Sequence, residues 1–204
     1  MTDKTSNVVL VILAAGASKR MGTPKQLLAW GKDTLIVHVI TQALKTEAME
    51  VIVVLGSNFN VIHQKIKHFP VTILNNMNWH SGLGESIAFA SRYIMGKATL
   101  PDGILITLAD QPLVNWEYLN EMISTYSSVK HPIIATSYQK FQYGVPVLFS
   151  ASYLKQLIRL NSDFGAKTLI SKNEHDIWYL KPEFNNTDLD TMEDYKALHS
   201  LFFE

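Results

Sequence analysis

The chain has 204 residues, of which 47 % are hydrophobic and 18 % charged, enough apolar material for a core and too much for intrinsic disorder. Its 18 Lys and Arg balance 18 Asp and Glu, so it lacks the basic excess that neutralises a nucleic-acid backbone, and no nucleic-acid partner is expected. With no cysteine, it can form no disulfide, thiolate metal site or cysteine nucleophile, which fits a reducing compartment and sets a cytoplasmic location as the expectation.

Residues 1–7 are polar and the apolar stretch 8–15 is too short to span a bilayer, so no membrane association is expected. Val8–Leu13 is a continuous apolar run, the pattern of a strand buried on both faces. Residues 34–46 carry Leu35, Val39, Ile40, Ala43 and Leu44 at helical spacing, with Asp33 or Thr34 as the cap. A second strand follows at 51–55. A short helix then uses Val61, Ile62, Ile66 and Phe69 and stops at Pro70. Strands at 71–74 and Gly103–Leu108 bracket a helix over 85–95 that turns Ile87, Ala90 and Ile94 inward. Beyond it the pattern gives a helix near 115–126, strands at 132–136 and 145–149, helices near 151–160 and 164–171, and a strand at Ile177–Leu180. A last helix over 192–202 is capped by Thr191, with Glu193 and Asp194 in its first turn. The βαβα alternation predicts one three-layer α/β domain over residues 1–204, Rossmann-like, with a mostly parallel sheet and helices on both faces. In such sheets ligands bind beyond the carboxyl ends of the strands, so the loops after strands carry the candidates.

The loop after the first strand reads Leu13-Ala14-Ala15-Gly16-Ala17-Ser18-Lys19-Arg20-Met21-Gly22-Thr23-Pro24-Lys25. Small residues let backbone N–H groups approach an anion, and Arg20 and Lys25 can reach phosphate oxygens, one as a planar fork and one as a point charge. The spacing is neither a Walker A loop nor a G-x-G-x-x-G fingerprint, and an ordinary basic surface loop is the competing explanation. The third strand is followed by Asn76 to Ile87, where Gly82-Leu83-Gly84 and Ser86 open a helix whose free N–H groups suit an anion; a plain turn capped by Trp79 is the alternative. The fourth strand ends in Leu108-Ala109-Asp110-Gln111-Pro112. Asp110 is placed either to hold magnesium, which takes one or two carboxylates plus substrate phosphates, or to cap the next helix. Asp188 or Asp190 could complete that metal site, or merely cap the C-terminal helix. No histidine pair has zinc-hydrolase spacing, and no Gly-x-Ser-x-Gly elbow is present.

The first loop together with Lys25-Gln26-Leu27-Leu28 resembles the signature of the MobA-like nucleotidyltransferases and, within them, the cytidylyltransferase branch that matures molybdenum cofactor. Weaker similarity extends to about Tyr195, through Asn76 to Ser86, Asp110 to Pro112, Tyr143 to Phe149, Asn161 to Lys167 and Asn185 to Thr191. The chain departs from the family pattern at Val145 (usually histidine), Ser162 (glycine), Lys167 (arginine) and Met192 (proline). The resemblance implies a nucleotidyltransferase that moves CMP from CTP to the terminal phosphate of molybdopterin and releases pyrophosphate. It implies nucleotide contacts from Leu13, Ala14, Ala15, Gly16, Ser18, Arg20, Lys25, Asn76, Ser86 and Asp110, with catalytic roles for Arg20, Lys25 and Asp110. Magnesium would sit on Asp110 with Asp188 or Asp190. Expected partners are CTP or another NTP, a molybdopterin-type phosphate and a recipient molybdoenzyme. The departures keep two other readings open: transfer to a sugar or alditol phosphate, and a non-catalytic delivery partner that binds molybdenum cofactor.

GTP-using members of the family carry Ala-Gly-Gly where this chain has Ala14-Ala15-Gly16, and a methyl at Ala15 could hinder a purine. Ala15→Gly should therefore move the CTP-to-GTP preference toward GTP in a competition assay; an unchanged ratio removes that steric account.

Overall fold

The computed structural model describes residues 7–129, 131–139, 142–161, 165–184 and 188–203. Strand β1 (Val8–Leu13) is buried throughout, and its alternation feeds two separate cores. Val8, Leu10 and Ile12 pack with α1 (Leu35–Leu44), α2 (Phe59–Ile66) and α4 (Trp116–Ser128) on one face of the sheet. Val9, Val11 and Leu13 pack with α3 (Leu83–Met95), α5 (Leu154–Leu157) and α6 (Lys167–Lys172) on the other. This is the three-layer arrangement expected of a strand that is apolar on both sides.

The other main strands are β4 (Glu50–Leu55), β5 (Thr72–Asn75), β6 (Gly103–Leu108), β7 (Ile133–Gln139), β8 (Gln142–Ser150) and β9 (Ile177–Leu180); β2 (Ala29–Trp30) and β3 (Asp33–Thr34) form a separate small ribbon. The seven-stranded sheet has the order β5-β4-β1-β6-β8-β7-β9. β8 runs antiparallel to β6 and β7, and the remaining pairs are parallel. From β1 the chain builds outward through β4 to β5, then returns to place β6 on the other side of β1. The strand order thus reverses beside β1, and a crevice is left at the carboxyl ends of β1 and β6.

Local expectations hold in most places and fail in a few. Residues 151–160 fold as a short 3-10 turn, Ala151–Tyr153, and only four α-helical residues in α5. Val61 is exposed, because α2 turns Ile62 and Ile66, one helical turn apart, into the core instead. Thr34 stands at the N-cap of α1 with the extended backbone usual for that position, but its side chain makes no cap bond and its hydroxyl is buried with no partner among the described residues. Thr191 does cap α7 (Met192–Phe203). Its hydroxyl accepts from the Asp194 N–H at 3.1 Å, and the Asp194 carboxylate accepts from the Thr191 N–H at 2.9 Å. Among the described residues, no helix is long and apolar enough to cross a membrane.

Helix α1 is tied to the end of β6 through His38, whose Nε2 donates to the Pro112 carbonyl at 3.0 Å. Burial holds the imidazole below its usual 6.5, partly offset by that carbonyl. The folded state therefore takes up a proton less readily than the unfolded chain. The resulting stabilisation is complete above about 6.5 and is lost as the pH falls through and below that value. Thermal melts from about pH 8 to about pH 5 should show this loss. His38→Gln, which can donate to Pro112 but does not titrate, should flatten that part of the profile.

Candidate active site

A cavity of about 680 Å³ opens at the carboxyl ends of β1 and β6. Such a volume suits a ligand the size of a nucleotide. It is lined by the first loop, by the turn before α3, by the end of β6, and by Asp188 and Asp190. Of the residues singled out from sequence, Leu13, Ala14, Ala15, Gly16, Ser18, Arg20, Lys25, Ser86, Asp110, Asp188 and Asp190 all line this one cavity. Asn76 is buried behind it. Its Nδ2 donates to Ser86 Oγ at 3.2 Å and its Oδ1 accepts from the Asn78 N–H at 3.0 Å, so it braces the second loop. Lys167 begins α6 and is not among the lining residues. Ser162 and residues 163–164 and 185–187 lie outside the described residues.

The first loop leaves β1 and closes on itself. Ser18 adopts the left-handed conformation, with φ 52°, which is uncommon outside glycine, and its hydroxyl accepts from the Lys25 N–H at 3.0 Å. That bond carries Lys25 back over the cavity. The following residue, Gln26, is 2 % exposed and donates to the carbonyls of Ala14 and Gly16, both at 2.9 Å. In the sequence Gln26 stands only as part of the Lys25-Gln26-Leu27-Leu28 signature, with no signal for its bonds to the loop.

Charge is concentrated on one rim. The Lys25 ammonium contacts the Asp110 carboxylate, donates to the Leu189 carbonyl at 3.1 Å and lies 3.6 Å from Asp190 Oδ1. Arg20 pairs with the other Asp190 oxygen at 3.2 Å, in a more exposed position. Asp188 accepts from Gln111 Nε2 at 2.8 Å; Gln111 is buried, and the sequence gives no signal for this bond beyond its place after Asp110. The backbone joins the two acidic segments, since the Leu189 N–H donates to the Asp110 carbonyl at 3.0 Å. Burial pushes the Asp110 carboxyl up, Lys25 pulls it back, and the nearby Asp188 charge adds to the rise. One Asp110 oxygen sits on Lys25 while the other is buried with no partner among the described residues. An orphaned carboxylate oxygen with two further carboxylates on the same cavity is a hard-oxygen donor set that fits a divalent cation. Among the described residues no three His, Asp or Glu side chains form a complete metal cluster, so substrate oxygens and water would fill the shell.

The second loop forms the opposite wall. Gly82, with φ 97°, starts α3 with no side-chain cap, and among the described residues the N–H groups of the first turn beside the cavity have no capping partner. Trp79 packs against Gly56 at the end of β4. A Cβ at position 56 would lie 2.4 Å from Trp79 Cβ and 3.0 Å from the Ala15 Cβ.

Comparison with known proteins points the same way. The family model for the MobA-like NTP transferase domain matches residues 10–177. The chain is 28 % identical over 199 residues to nicotine blue oxidoreductase of Paenarthrobacter nicotinovorans, covering 90 % of this chain and 92 % of that protein. It is 24 % identical over 191 residues to the molybdenum cofactor cytidylyltransferase of Escherichia coli, covering 93 % and 94 %. The solved structure of Rv0371c from Mycobacterium tuberculosis superposes with a TM-score of 0.83 at 26 % identity, over 98 % of this chain and 100 % of that one. The same mycobacterial protein has been crystallised with manganese (TM-score 0.79, 24 % identity, 95 % and 98 % covered). The bifunctional GlmU proteins also match, and the chain spans about a quarter of their length.

The close approach at Gly56 sets a stability prediction. Gly56→Ala must push the Trp79 turn outward, and such overpacking costs about 1–3 kcal/mol. A urea unfolding midpoint equal to that of the parent would show that the turn yields freely.

Proposed function

Because the chain belongs to the MobA-like NTP transferase domain family, a family of nucleotidyltransferase enzymes, we propose that it transfers CMP from CTP to the terminal phosphate of molybdopterin and releases pyrophosphate. The observation that carries this reading is the meeting of Lys25, Arg20, Asp110 and Asp190 on one rim of the cavity at the switch point of the sheet. The similarity to a molybdenum cofactor cytidylyltransferase over nearly the whole chain supports the choice of donor and acceptor.

The chemistry asks for little acid–base help. A phosphate monoester is largely dianionic near neutral pH, with a second pKa of about 6, so it needs no base to become a nucleophile. The obstacle is repulsion between an anionic nucleophile and a triphosphate, together with the alignment of attack on the α-phosphorus. Lys25 and Arg20 neutralise charge on the triphosphate and the leaving group. The backbone of residues 14–16 and the free N–H groups at the start of α3 orient the phosphates, and Ser86 is braced beside them by Asn76. Magnesium, held by Asp110 with Asp188 or Asp190, supplies further charge neutralisation when bound. The manganese complex of the mycobacterial relative supports a divalent ion in this fold.

A pyrophosphate-release assay with each NTP, with and without molybdopterin, tests the reading. Release with CTP and molybdopterin alone is expected, and chelation of divalent ions should abolish it. Release with a sugar or alditol phosphate instead would reassign the acceptor. Binding of molybdenum cofactor without release would make the chain a delivery partner. Since one relative is named as an oxidoreductase, NADH and NADPH belong in the panel; their oxidation without pyrophosphate release would overturn the proposal. Asp110→Ala should lower turnover at least about tenfold with the fold intact. Unchanged turnover removes Asp110 from the reaction.

A further inference from the structure

The first loop owes its shape to how its carbonyls are held. The Leu13 carbonyl accepts from the Ala109 N–H at 3.0 Å, and the Ala15 carbonyl accepts from the Ser57 N–H at 3.0 Å. The two carbonyls between and after them, Ala14 and Gly16, have no backbone donor among the described residues; both are taken by the single amide nitrogen of Gln26, at 2.9 Å each. A carbonyl can only accept, so the amide has one possible orientation, with Nε2 toward the loop. Its oxygen is then left over, and it is buried with no partner among the described residues.

In a trans peptide the C=O of one residue and the N–H of the next point in opposite directions across the same plane. Fixing the Ala14 and Gly16 carbonyls on Gln26 therefore directs the N–H groups of Ala15 and Ala17 away from Gln26. Fixing the Ala15 carbonyl on Ser57 directs the N–H of Gly16 away from Ser57. Among the described residues none of these three N–H groups makes a hydrogen bond, and all three residues line the cavity. The N–H groups of Ala15 and Ala17, both turned away from Gln26, form a pair of donors suited to anion oxygens.

We infer that Gln26 is a positioning residue for phosphate binding: by anchoring two peptide planes with one amide, it holds the loop's N–H groups ready for the triphosphate. The inference rests on the nucleotidyltransferase reading and adds to it the residue that sets the loop. It places no Gln26 atom on the substrate, so its effect runs through the backbone.

The test uses inorganic tripolyphosphate as the probe and calorimetric binding as the readout, on the full chain. Gln26→Met keeps the volume and loses both donors. It should weaken tripolyphosphate binding by about tenfold or more, while circular dichroism stays that of the parent. In the full reaction the loss should fall on the KM for the nucleotide more than on kcat. A folded Gln26→Met protein that binds tripolyphosphate as the parent does overturns the inference, and pyrophosphate release by the parent would then leave the proposed function standing. Gln26→Glu supplies a second readout that does not depend on the Met variant folding. A protonated carboxyl can donate to one of the two carbonyls, and a carboxylate to neither. Its affinity relative to the parent should rise as the pH is lowered through the glutamate titration. A ratio that stays flat with pH assigns Gln26 to packing alone and sinks the inference.

Discussion

The site is organised around one ammonium group among oxygens. Lys25 Nζ meets the Asp110 carboxylate from the end of β6 and the Leu189 carbonyl, with Asp190 close by from the segment before α7. Without that charge, carboxylates from distant parts of the chain would face one another across the cavity at an electrostatic cost. The two ion pairs on the rim are not equivalent. The side chains of Lys25 and Asp110 are each 16 % exposed, whereas Arg20 is 70 % exposed and Asp190 47 %. Solvent screens the outer pair, so Arg20 gives up little by turning from Asp190 to a phosphate. The inner pair, less exposed, is screened less.

The fold delivers these groups by topology. β1 and β6 are neighbours in parallel, so the loops that follow them emerge side by side, and Lys25 and Asp110 come from those two loops. The acidic segment at 188–190 arrives much later in the chain and is latched at several points. The Leu189 N–H bonds the Asp110 carbonyl, Gln111 holds Asp188, and the Leu189 side chain is buried with Trp30 and Leu35. Directly after it the Thr191 capping box starts α7, so both ends of the segment are restrained.

Much of this was legible in the sequence. The run at Val8–Leu13 has only one stable environment, a strand covered on both faces, and Gly103–Leu108 has the same character. Those two strands alone locate the crevice, and the loops beyond them carry Lys25 and Asp110. What escaped depends on tertiary partners. The direction of β8 follows from its pairing with β6 and β7, which no local period encodes. Thr34 has the right chemistry and the right position for a cap, yet its hydroxyl makes no cap bond. Gln26 and Gln111 matter through single side-chain amides whose partners lie elsewhere in the fold, so composition and spacing are blind to them. The choice between Asp188 and Asp190 also stays outside sequence reasoning, because it turns on which neighbour each carboxylate meets: Gln111 for the first, Arg20 and Lys25 for the second.

The tethered carbonyls of the first loop separate two tasks within a few residues. On the inferred role of Gln26, grip on a polyanion would fall to main-chain hydrogens that every amino acid except proline possesses, while the half-buried methyl of Ala17 remains an independent variable. Substituting that methyl would then alter what the cavity admits without loosening the hold on a charged tail. A loop built in this way lets selectivity drift among ligands while affinity for their common charged portion stays constant.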